Sequence, residues 1–136
     1  MLHTTKQTLS IVLLSLLLAV PLSAHAEFFS DSKPSGHDVL QDVQTDGARV
    51  EFEEDQDEVY EAVQQGLIKP FSELFATVKR DLNGRVIKVE LEEDDGEWIY
   101  ELKLLHEQDV IKVEYNATTL EMMELKGHNL QRVIRK

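Results

Sequence analysis

The chain has 136 residues, 26 acids against 14 bases, and no cysteine. That charge makes nucleic acid and anionic lipid poor partners for most of the surface, and the missing thiols exclude disulfides and thiol chemistry. The length allows one small domain rather than two.

Residues 1–26 read as a secretory signal peptide. Lys6 precedes an apolar run over Ile11–Leu14 and Leu16–Val20, and Ala24-His25-Ala26 supplies a small-x-small exit with an expected cut after Ala26. The apolar core is about half of the roughly 20 residues that a spanning helix needs, which disfavours a retained anchor. No cysteine follows it, so acylation as a lipoprotein is excluded. The expected location is the periplasm or the exterior, with no stable membrane insertion after cleavage. Removing Lys6 leaves 13 bases and 26 acids, a formal charge of −13.

Residues 27–55 are rich in Ser, Asp and Gly with few large apolar groups, and are expected to form a flexible acidic leader. Val50 and Phe52 alternate with Arg49, Glu51 and Glu53, the pattern of a short edge strand. A short helix is expected over 57–65, capped by Asp55 or Asp57, with Val59, Ala62 and Val63 inward and Gly66 as its stop. Pro70 suits the start of a second helix, in which Phe71, Leu74, Phe75, Val78 and Leu82 form an apolar stripe ending near Asn83-Gly84.

The period then falls to two. Ile87, Val89 and Leu91 oppose Lys88, Glu90 and Glu92, and Asp94-Asp95-Gly96 turns the chain into a second strand with Trp98, Tyr100, Leu102 and Leu104. Ile111, Val113 and Tyr115 predict a third strand, and Met123 and Leu125 a fourth. Short links make these strands antiparallel. The expected fold is α+β: one or two N-terminal helices packed on one face of a four-stranded antiparallel meander over 56–127, followed by a basic tail, 128–136. In that tail Leu130, Val133 and Ile134 have the spacing of a short amphipathic helix, too short to be stable without a surface to order against.

Three stretches resemble the PepSY domain, the module named for peptidase propeptides. They are Gly66-Leu67-Ile68-Lys69-Pro70-Phe71-Ser72-Glu73, Gly84 to Glu92, and Gly96 to Leu105, with Tyr115 to Leu125 closing the match. Two positions depart from the family pattern: Asn116 stands for the usual aspartate, and Leu120 for a turn glycine, which strains the turn if the position needs positive φ. The His106-Glu107-Gln108-Asp109 turn also lacks a common glycine. The resemblance implies a non-catalytic module that restrains or assists a partner enzyme, and offers no catalytic residue to carry over.

The residues themselves add no chemistry. His37, His106 and His128 lack paired metal-ligand spacing, and the acidic run Glu92 to Asp95 lacks the alternating ligands of a calcium loop. Ser35 and Ser72 have no nucleophile context, and Asn116-Ala117-Thr118 is a glycosylation sequon by letter only. No catalytic residue, metal site or cofactor is expected. If Trp98 faces the helices, the opposite sheet face presents Val86, Lys88, Ile99, Lys103, Leu105, Val110 and Met122, either as a solvated surface with cross-strand ion pairs or as a docking face for a partner. The functional expectation is a secreted non-catalytic module that binds and modulates an envelope protein, a peptidase or a sensor ectodomain, by protein contact. The alternative is a periplasmic small-ligand or cation-binding protein.

Overall fold

The computed structural model describes residues 34–136, so the expected signal peptide lies outside the described residues. The elements are α1 (Gly36–Leu40), β1 (Arg49–Phe52), α2 (Gln56–Gln64), α3 (Phe71–Asp81), β2 (Arg85–Asp94), β3 (Glu97–His106), β4 (Asp109–Asn116), β5 (Met122–Lys126) and α4 (Leu130–Val133). The strands form one sheet in the order β1-β2-β3-β4-β5.

The α+β class is as expected, but the sheet has five strands and is mixed rather than antiparallel with four. β1 pairs with β2 in parallel, Arg49 opposite Lys88 and Phe52 opposite Leu91. The reason is the connection: the return from β1 to β2 runs through α2 and α3, and such a helical crossover is what a parallel pair requires. From β2 to β5 all pairings are antiparallel, as short turns dictate. Asp95 and Gly96 both take positive φ, 50° and 81°, in the two-residue loop that joins β2 to β3.

The helix-facing side carries the core. Val89, Leu91, Tyr100, Leu102, Leu104, Ile111, Val113 and Tyr115 are fully buried there and share one cluster with Val59, Phe71 and Leu74 of the helices. The α3 stripe faces inward at Phe71, Leu74 and Val78, while Phe75 is only partly buried. α2 starts where Asp55 accepts the Asp57 N–H at 2.9 Å. α3 has Pro70 at its N-cap, which offers no side-chain oxygen. Asp42 supplies one instead, accepting the Ser72 N–H at 2.9 Å and the Ser72 hydroxyl.

Asp42 belongs to the stretch expected to be a flexible leader, and the described part of that stretch, from 34 onward, is folded. Leu40 is fully buried and Ala48 nearly so, β1 extends the sheet, and the His37 ring stacks on Phe52 with centroids 3.9 Å apart. The stretch looks like a leader because its few apolar residues are spaced with no regular period, yet Leu40, Val50 and Phe52 reach the common core.

The C-terminal tail also docks. Val133 is fully buried, Leu82 bridges to Ile134, the Asn83 N–H donates to the Val133 carbonyl at 2.6 Å, and the Arg135 N–H to the Asp81 carbonyl at 2.9 Å. The short amphipathic segment is thus ordered against its own domain. These same contacts stop α3 at Asp81: Leu82 is already extended, at φ −132°, ahead of the expected Asn83-Gly84 end.

At the β4–β5 turn Leu120 does take positive φ, 59°. A side chain there costs about 1–2 kcal/mol, which is offset by its packing against the core cluster. Asn116 organises this turn: its side-chain oxygen accepts the Thr118 and Thr119 N–H groups at 2.8 and 3.0 Å, and its amide donates to Glu97 at 2.9 Å. An aspartate could make the first two bonds and not the third.

Candidate functional site

The sheet face turned away from the helices is built from the strand alternation. Because successive side chains point to opposite faces, burying Val89, Leu102 and Val113 commits their neighbours to the outer side. Arg49, Lys88, Lys103, Lys112 and Lys126 stand opposite one another across all five strands. Two positions along each strand, Glu51, Glu90, Glu101, Glu114 and Glu124 make a parallel row of five acids. The face is a stripe of cations beside a stripe of anions.

Like charges directly opposite are unfavourable, and here four of the five bases are answered by the neighbouring row. Lys88 Nζ lies 2.9 Å from Glu51 and 2.8 Å from Glu90, and Lys112 Nζ lies 3.3 Å from Glu101 and 2.9 Å from Glu114. Lys126 pairs with Glu124. Hydrogen bonds donated to two carboxylates each hold the Lys88 and Lys112 ammonium groups above their ordinary range. Bonding to Lys88 lowers Glu51, and bonding to Lys126 lowers Glu124. Lys103, at the centre of the cationic row, makes no ion pair among the described residues.

Of the seven residues expected on this face, the structure places five there. Lys88 and Lys103 lie in the basic row, Ile99 is nearly buried beyond the acidic row, and Leu105 and Val110 face each other at the opposite end. Val86 and Met122 are corrections. A register shift between Val86 and Lys88 puts Val86 opposite Leu104, and it packs against the core. A second shift, between Glu114 and Tyr115, sets Met122 opposite Tyr115, whose side chain faces the helices. One inserted residue in a strand exchanges its two faces, which a plain alternation count cannot detect. The flanking pairs Arg49 with Glu51 and Glu124 with Lys126 were missed as part of the face. Their signal was present: a base and an acid two apart recur in every strand, in an order that reverses in each antiparallel neighbour.

A third row begins with Glu92, opposite Ile99. Burial, and then the charges of Glu101, Glu53, Glu90 and Glu114, raise the Glu92 carboxyl above the ordinary range. Carboxylate oxygens of Glu92, Glu101 and Glu114 lie within 4.8 Å of one another. A cation at this place would compete with Lys112, which already holds two of the three.

Glu92 thus destabilises the fold when ionised. A carboxyl raised in the folded state binds its proton more tightly there than in the unfolded chain, so stability falls as pH rises from the ordinary carboxylate range through the raised value. Glu92→Gln is expected to stabilise the protein at pH 7 by up to about 1 kcal/mol. The gain should vanish near about pH 3.5, where the parent side chain is protonated in both states. Urea unfolding at the two pH values checks this, and a parent more stable than the variant at pH 7 would contradict it.

Among the described residues, these features define a two-layer α+β module with helices on one side of its sheet and an ordered charge lattice on the other. Residues 69–123 match the family model described as the peptidase propeptide and YPEB domain, PepSY. The match spans α3, β2, β3, β4 and the start of β5, and leaves α1, β1, α2 and α4 outside it. No curated protein and no solved structure matches the chain. Among the described residues, no helix is long and apolar enough to cross a membrane.

Proposed function

We propose that this protein is a secreted, non-catalytic PepSY module that binds an envelope protein, a peptidase or a sensor ectodomain, and modulates it by contact through the outer sheet face. The observation that carries this reading is the row arrangement on that face. Its charges are fixed in register by the backbone, so a partner bearing complementary stripes is selected for both sign and orientation. Lys103 is the one base of the cationic row without an ion pair among the described residues, and the adjoining Leu105 and Val110 pair adds apolar area, with Val110 53% exposed. The signal peptide read at residues 1–26 supports the compartment.

The test is capture from envelope extract at physiological salt on the immobilised full-length chain, beside a Lys103→Glu/Val110→Asp variant. Both positions are on the outer face, so the fold is expected to survive. The expected result is one peptidase or sensor protein retained by the parent and lost at least tenfold by the variant. Equal retention by both, or no protein retained by the parent, would overturn the reading.

A further inference from the structure

On the helix side of the sheet, away from the charge rows, a cleft of about 330 Å³ opens between α3, the start of β2, the loop before β1 and the C-terminal segment. This volume is within the range of small-ligand sites. Its apolar floor is Phe75, Val78, Leu82 and Val86. Val78 and Leu82 are buried core residues, whereas Phe75 and Val86 are only partly covered.

The charges at its rim run against the rest of the molecule. Lys79, Arg85 and Arg135 line it, with Asp46 as the lone acid, in a chain with nearly twice as many acids as bases. None of the three bases forms an ion pair among the described residues, although six other bases do. Arg135 is fixed in place: its Nε donates to the Leu82 carbonyl at 2.9 Å, which leaves the other guanidinium N–H groups for an acceptor. Three cations around a recessed apolar floor fit a ligand with an apolar body and an anionic head. The wall from Gln44 to Asp46 is polar, and a bare alkyl chain would cover these groups without satisfying them. A peptide group offers an N–H to the Asp46 carboxylate.

We propose that this cleft binds the C-terminal end of a peptide whose last side chain is apolar. The terminal carboxylate lies among Lys79, Arg85 and Arg135, the side chain covers Phe75 and Val86, and the preceding N–H meets Asp46. The site is separate from the outer face, so either can fail without the other.

The test is an NMR titration of the full-length chain with three probes: acetyl-Ala-Ala-Leu with a free carboxylate, the same peptide as its C-terminal amide, and octanoate. The expected result is saturable shifts at Val78, Leu82 and Val86 with the free acid, and binding of the amide weaker by roughly tenfold. Lys79→Gln and Arg85→Gln, at exposed positions without ion pairs, should each weaken the free acid by about fivefold. Equal binding of acid and amide, shifts confined to other surfaces, or unchanged affinity in both variants would overturn the proposal. Octanoate binding more tightly than the peptide acid would also overturn it and assign the cleft to free alkyl acids.

Discussion

Leu40→Ala is expected to destabilise the protein by about 2–5 kcal/mol, the cost of emptying a well-packed leucine site. Leu40 is fully buried and belongs to the core cluster of the domain, although it comes from a stretch whose composition resembles a linker. Against a typical stability of about 5–15 kcal/mol, this is a large fraction of the total. Gly36→Ala provides an independent check on the same element. A Cβ at this position would sit 2.4 Å from the Tyr60 backbone nitrogen and 2.5 Å from the Gln56 carbonyl oxygen, so α1 would have to move off α2. Chemical denaturation measures both. A segment that did not pack would accept either substitution with a change below about 0.5 kcal/mol.

Phe71→Ala should cost still more, about 3–5 kcal/mol. Phe71 opens α3 and is fully buried. Its ring lies 6.3 Å from that of Phe52 on β1, 5.7 Å from Phe75, and 5.8 Å edge-on from Tyr100 on β3. Tyr100 in turn donates its hydroxyl hydrogen to the Lys69 carbonyl at 2.6 Å, just before α3. Emptying this one position removes the contact that joins β1, β3 and α3. Phe75→Ala on the same helix is the control, because that side chain is half-buried and forms the floor of an open cleft. If Phe75→Ala cost as much as Phe71→Ala in urea unfolding, the hub assignment would be wrong.

Much of the fold was legible in the sequence where periodicity was strong. The stripe Phe71, Leu74, Val78 and Leu82 marked α3, and strict alternation from Val89 to Leu91, Trp98 to Leu104 and Ile111 to Tyr115 marked the central strands and their inward faces. The ends were harder. Leu40 and Ala48 lie in a polar stretch, and nothing local records that Asp42 must cap a helix whose own N-cap is a proline. Four residues of β1 looked like an isolated edge because the parallel pairing depends on a crossover, which no local pattern encodes. On the candidate face, Lys88, Ile99, Lys103, Leu105 and Val110 were readable from alternation, whereas Val86 and Met122 were displaced by register shifts. The five-strand rows emerge only when the register is known, since each strand contributes just one base and one acid to them. The cleft was not readable at all: its lining comes from four segments spread over residues 44–135.

The domain extends past the family-matched stretch at both ends, with β1 and the C-terminal segment as integral parts. Amide hydrogen exchange on the full-length chain tests it most directly. Protection of the β1 amides and of the Glu53 N–H, which donates to the Leu91 carbonyl at 3.3 Å, should approach that of β2. The Asn83 and Arg135 amides, bonded to Val133 and Asp81, should be protected with them. Exchange across 49–53 and at Arg135 as fast as in an unstructured peptide would contradict the account.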